Sequence, residues 1–116
     1  MFRLISIVLL SMFCSVSFAG ETACKKIAEI SGGPENNFRP PLEAVVIGNG
    51  RLYFYSAPNV QCQMKGVFVV KGDALTLYQT FEGWAEVMYI AKGGDDFMGW
   101  VKEDRVKVRG QYGNNP

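Results

Sequence analysis

Residues 51–58, Arg-Leu-Tyr-Phe-Tyr-Ser-Ala-Pro, place Tyr53 and Tyr55 in alternation with Leu52 and Phe54. In a strand, successive side chains point to opposite faces, so Leu52 and Phe54 facing a core would turn both tyrosines outward. Paired large aromatics outside the core of a small domain suit a contact surface that anchors a partner, holds an extended peptide or stacks on sugar. Trp84, Tyr89 and Trp100 complete the candidate binding set. Both tryptophans also read as fold residues, because Trp supplies much of a small core. Tyr53 and Tyr55 could equally be covered by another element of the chain.

Catalytic chemistry is harder to assemble. The sequence has no histidine, which excludes a Ser-His-Asp triad, a Cys-His pair and any His-ligated metal. Carboxylates remain, and glycosidases work with two of them across a cleft, but no recognisable pair stands out. Asp95-Asp96 lacks the alternating oxygen ligands of a calcium loop and reads as a solvated loop tip. The expectation is a non-catalytic protein with no cofactor and no metal.

The first 19 residues read as a signal peptide. Arg3 supplies the positive region, Leu4 to Val16 the apolar stretch, and Ser17-Phe18-Ala19 a small-x-small cleavage site. The apolar stretch is shorter than the roughly 20 residues that span a bilayer, so no stable membrane insertion is expected after cleavage. Neither Cys14, preceded by Phe13, nor Cys24, preceded by Glu-Thr-Ala, has the sequence context of a lipidation site. The expected location is the bacterial periplasm or the medium. Loss of Arg3 from the 12 Lys and Arg leaves 11, equal to the 11 Asp and Glu, a balance that favours neither nucleic acid nor an anionic membrane.

Cleavage also leaves two cysteines, Cys24 and Cys62, in a compartment where disulfides persist. A zinc site would need further ligands that the chain lacks, so the expectation is a structural disulfide. Closing a loop of about 39 residues is worth about 4 kcal/mol by the chain-entropy relation.

The remaining residues, 20–116, suffice for one domain with a modest core. Ala23, Ile27 and Ile30 recur at helical spacing, with Thr22 as a cap and Gly32-Gly33 as the stop, so a helix over Glu21 to Ile30 is predicted. The prolines and asparagines of 34–41 predict an irregular connector. Beyond it come short strands between turn signals: Leu42 to Ile47, Arg51 to Tyr55, Val67 to Val70, Leu75 to Phe81, Trp84 to Ile90, Phe97 to Lys102 and Val106 to Val108. Glu103-Asp104-Arg105 predicts one 3₁₀ turn that caps itself. The division is therefore an extension over 20–41, a β domain over 42–109 and a tail over 110–116 that should fray. Met64, Met88 and Met98 serve equally as core filler or interface residues.

Four pieces in order resemble the bacterial SH3 domain: Leu52 to Pro58, Lys71-Gly72-Asp73, Gly83-Trp84-Ala-Glu-Val87 and Gly99-Trp100-Val101. The resemblance runs from about Ala44 to Val108 and implies a small SH3-like β-barrel that recognises cell-wall peptides. Family members carry Asn and Arg where this chain has Tyr53 and Tyr55, and Gly where it has Ala57, so the surface offered here is more aromatic. Small periplasmic immunity proteins and enzyme inhibitors have a similar general build. The leading expectation is a binder that neutralises another protein, such as an antibacterial toxin or cell-wall hydrolase. The alternative is a module for peptidoglycan or its stem peptides.

Overall fold

The computed structural model describes residues 17–112. The apolar stretch of the expected signal peptide and residues 113–116 lie outside the described residues. One helix, α1 (Ser17–Ser31), precedes seven strands: β1 (Leu42–Val46), β2 (Leu52–Tyr55), β3 (Gln63–Val69), β4 (Ala74–Phe81), β5 (Trp84–Ile90), β6 (Asp96–Lys102) and β7 (Val106–Gln111). They form one antiparallel sheet in the order β3-β2-β6-β5-β4-β1-β7.

Strand alternation divides this sheet into two faces. Leu52 and Phe54 of β2, Leu75 and Leu77 of β4, Ala85 and Val87 of β5 and Val101 of β6 all turn to one side, joining Ala44, Val46 and Val69 in the core. Phe54, Val87 and Val101 are fully buried. Burial of such side chains is the main force holding the fold, at about 1.5–3 kcal/mol each.

Turn chemistry matches the hairpins. The two residues between β4 and β5, Glu82 and Gly83, both have positive φ (48° and 89°), the backbone of a two-residue turn whose twist suits the flanking strands. Where β6 meets β2, a Cβ on Gly99 would stand 2.9 Å from the carbonyl oxygen of Tyr55. Glycine lets the two backbones approach there.

Several expectations are corrected. The strands do not close into a barrel: β3 and β7 are the ends of the sheet order. α1 starts at Ser17, so Thr22 lies inside the helix and does not cap it. Its inward side keeps only Ile27 of the predicted stripe: Cys24, Ile27 and Ala28 are half-buried and Ser31 is buried, whereas Ala23 is exposed and Ile30 is 77% exposed. Cys24, on the inward side, is bonded to Cys62. The connector holds a 3₁₀ turn at Pro34–Asn36, and another forms at Val60–Cys62, where the Asn59 side chain accepts from the Gln61 N–H. β3 begins four residues earlier than predicted, because Gly66 at φ 77° lets the strand bulge and continue.

At the C-terminal end, β7 runs past Val108: Gly110 and Gln111 pair with Glu43 and Leu42, and the Tyr112 N–H donates to the Pro41 carbonyl. These bonds order part of the segment expected to fray. Glu103–Arg105 forms the predicted 3₁₀ turn. Arg105 does not cap it, however. Its Nε donates to the Ile47 carbonyl at 2.6 Å and its Nη2 to the Gly50 carbonyl at 2.9 Å, tying the 3₁₀ turn to the β1–β2 loop.

Candidate aromatic binding face

The sheet face opposite the core carries four of the five candidate residues. Tyr53 and Tyr55 alternate with the buried Leu52 and Phe54 and are half-buried themselves. Tyr55 is aligned with Trp100 across the β2–β6 pair, and Trp84 reaches the same cluster from β5. The Tyr55 and Trp84 rings meet edge to face at 4.8 Å between centroids and 73° between planes, a favoured aromatic geometry. Lys102 Nζ stands 5.0 Å from the Trp84 ring centroid, within the range of a cation–π contact. The Tyr55 hydroxyl donates to Gln63 Oε1 at 3.4 Å.

A second cluster adjoins it at the sheet edge. Tyr53 faces Phe68 across the β2–β3 pair, with ring centroids 5.7 Å apart. The Arg51 guanidinium lies 4.4 Å from the Phe68 centroid, and its Nη1 donates to the Tyr53 hydroxyl at 3.5 Å. Phe68 is 37% exposed. Together these side chains form a surface of rings with cations laid over them.

Trp84 is itself buried, with 9% of its surface exposed at the rim of the cluster, and Trp100 is more deeply covered, at only 2% exposed. A Cβ on Gly32, just past α1, would stand 2.8 Å from a Trp100 ring carbon and 3.1 Å from Gln79 Nε2. The extension therefore covers Trp100, and glycine is what permits the contact. Gln79 fastens the extension in place: its Nε2 donates to Asn37 Oδ1 at 3.0 Å and to the Gly33 carbonyl at 3.5 Å, and also to Glu86 Oε1 at 2.8 Å. Its own Oε1 is buried with no protein partner. Further along, the Cys24–Cys62 disulfide is formed. It joins α1 to the 3₁₀ turn that follows β2, so the extension is held at two places.

Tyr89 is not part of this face. It follows Ala85 and Val87 on the inner side of β5 and packs against the core, opposite Phe97 of β6. Ala91, Lys92 and the glycines 93–94 then form the loop carrying Asp95 and Asp96, both exposed. Met64 packs against the core, while Met98 is 50% exposed on the outer face.

Sequence reasoning did not single out Phe68, Arg51 and Lys102. Phe68 sits in the run Val67-Phe-Val-Val70, whose continuous apolarity hides which residue points out. Lys102 and Trp84 are close only because β5 and β6 pair in that register. Gln79 was hidden by the irregularity between Leu77 and Gln79 in the β4–β5 pairing, which places it beside Glu86.

Two open depressions flank the face. One, of about 570 Å³, lies beside the disulfide between α1 and the segment 56–63; the other, also about 570 Å³, is lined by Glu82, Gly83, Trp84, Lys102, Glu103 and Asp104. Among the described residues there is no cluster of three or more His, Cys, Asp or Glu able to hold a metal ion, and no helix is long and apolar enough to cross a membrane. Comparison of the chain with protein-family models, curated proteins and solved structures returns no match.

Proposed function

We propose that this chain is a non-catalytic, secreted or periplasmic SH3-like binding protein that engages and neutralises another protein, in the manner of an immunity or inhibitor protein against a toxin or cell-wall hydrolase. The observation that carries this reading is the outer face of the sheet, where Tyr53, Phe68, Tyr55 and Trp84 form two ring pairs with Arg51 and Lys102 laid over them. Aromatic and Arg anchors dominate the energetics of protein interfaces. Rings already packed against one another lose little side-chain freedom when a partner docks.

The SH3-like reading is supported by the β4-β5-β6 meander, the 3₁₀ turn after β6 and the return of β7 to pair with β1. Of the motifs that carry the resemblance, Gly83 to Val87 and Gly99 to Val101 lie on that meander, Lys71-Gly72-Asp73 lies on the turn into β4, and Leu52 to Pro58 lies on β2 and the loop after it. The disulfide suits an oxidising compartment. Affinity capture from periplasmic extract tests the neutralising role: a stoichiometric protein partner, lost with Tyr53→Ala or Tyr55→Ala, is expected. Capture that is unaffected by either change rejects this face.

A second reading is favoured by the depression beside Trp84. A tryptophan edge flanked by Lys102 and the carboxylates Glu82, Glu103 and Asp104 has the makings of a saccharide or stem-peptide site. Sedimentation with purified sacculi decides between the two: co-pelleting lost in Trp84→Ala and retained in Tyr53→Ala favours peptidoglycan.

A further inference from the structure

The charges of residues 20–116 balance overall but not locally. From Ala44 to Gly72 the sequence contains Arg51, Lys65 and Lys71 and no Asp or Glu. From Asp73 to Asp104 it contains seven acidic residues against Lys92 and Lys102. The acid-free stretch supplies β2, β3 and the turn into β4, the elements that carry Tyr53, Tyr55 and Phe68.

The structure adds to this asymmetry. Asp73, the first acid after the stretch, is engaged locally, its Oδ2 accepting from the Val70 N–H at 2.8 Å. Arg105 is drawn into the neighbourhood from the 3₁₀ turn before β7, because its guanidinium bonds the carbonyl of Gly50, the residue before Arg51. Arg51 lies over Phe68 with Nη1 on the Tyr53 hydroxyl. Lys65 is exposed on the same edge strand. A guanidinium lying over a ring keeps N–H groups at its rim for a carboxylate, and pairs with one through two parallel bonds.

We infer that the surface around Arg51, Tyr53 and Phe68 takes an acidic segment of a partner protein, with carboxylates on Arg51 and Lys65 and an apolar side chain seated against Tyr53 and Phe68. This rests on the protein-binding reading and adds to it the charge of the partner. A protein is favoured over an anionic membrane because a few dispersed cations, without a polybasic cluster, are a weak hold on a lipid surface. The exposed apolar atoms here belong to rigid rings in contact with one another, which suits shaped side chains.

The test uses the full, oxidised chain as bait for a displayed library of random 12-residue peptides, with vesicles of phosphatidylglycerol as a parallel probe. Selected peptides should combine Asp or Glu with aromatic or aliphatic residues. They should weaken at least tenfold with Arg51→Glu and with Tyr53→Ala while the melting temperature falls by no more than a few degrees, and weaken with rising salt. Neutral or basic peptides that depend on Tyr53 but not Arg51 would overturn the acidic partner while leaving the aromatic face as a protein site. Peptides indifferent to both changes would overturn both readings. Binding to the vesicles that is lost in Arg51→Glu, with no peptide selected, would overturn the inference in favour of a lipid surface.

Discussion

Replacing Cys24 and Cys62 together by serine removes the bond that joins α1 to the body of the sheet. The two residues are 38 apart in sequence, and the chain-entropy relation for a loop of that size gives about 13 cal/mol/K, or about 4 kcal/mol at 25 °C. For a domain near 100 residues each kcal/mol moves the midpoint by roughly 4–8 °C, so a fall of about 15–30 °C is expected. The folded state should change less than the stability. Gly32 against Trp100 and the bonds from Gln79 to Asn37 and Gly33 still hold the end of the extension, so tryptophan emission from the native variant should stay blue-shifted. Thermal denaturation of both proteins, followed by circular dichroism, reads the midpoint, and their fluorescence spectra before heating read the native emission. A midpoint within 3 °C of the parent would refute the reasoning that the bond constrains the unfolded chain. A red-shifted native spectrum would refute the idea that the extension has a second, independent attachment.

Two further outcomes are expected. Gly32→Ala forces a methyl to within 2.8 Å of the Trp100 ring and should cost about 1–3 kcal/mol, as overpacking does, with a red shift in emission that Gly20→Ala does not produce; denaturation series of the two variants check it. Arg105→Ala removes the donors to Ile47 and Gly50 and should cost about 1 kcal/mol, measurable in urea, with hydrogen exchange at the β1–β2 loop accelerating first.

The strand sequence was readable because each strand announces itself: Leu75 and Leu77 on one face, Ala85 and Val87 in step, and Glu82-Gly83 between them. The disulfide was readable from the count of cysteines left after the expected signal peptide. What could not be read was where elements rest on one another. Ala23, Ile27 and Ile30 form as good a stripe as Cys24, Ala28 and Ser31, yet of the first only Ile27 turns inward, on the side where Cys24 meets Cys62. Tyr53 and Tyr55 were expected outside the core, and they are; that Trp100 beside them lies under Gly32 depends on the path of the connector, which no local pattern encodes. Barrel closure depends on long-range pairing of the end strands, and local turn signals carry no information about that. Tyr89 follows from counting in twos from Val87, but its aromatic type drew attention away from its parity.

Tyr53→Ala and Tyr55→Ala, each compared with the parent in melting temperature and in affinity for a captured partner, separate a binding face from a folding face. Both side chains are half-buried at the surface of the sheet, so the expected result is a melting temperature lowered by only a few degrees and binding weakened by about 2 kcal/mol, roughly thirtyfold. Stability lost by 3 kcal/mol or more with partner affinity intact in both variants would contradict the assignment of this face to binding.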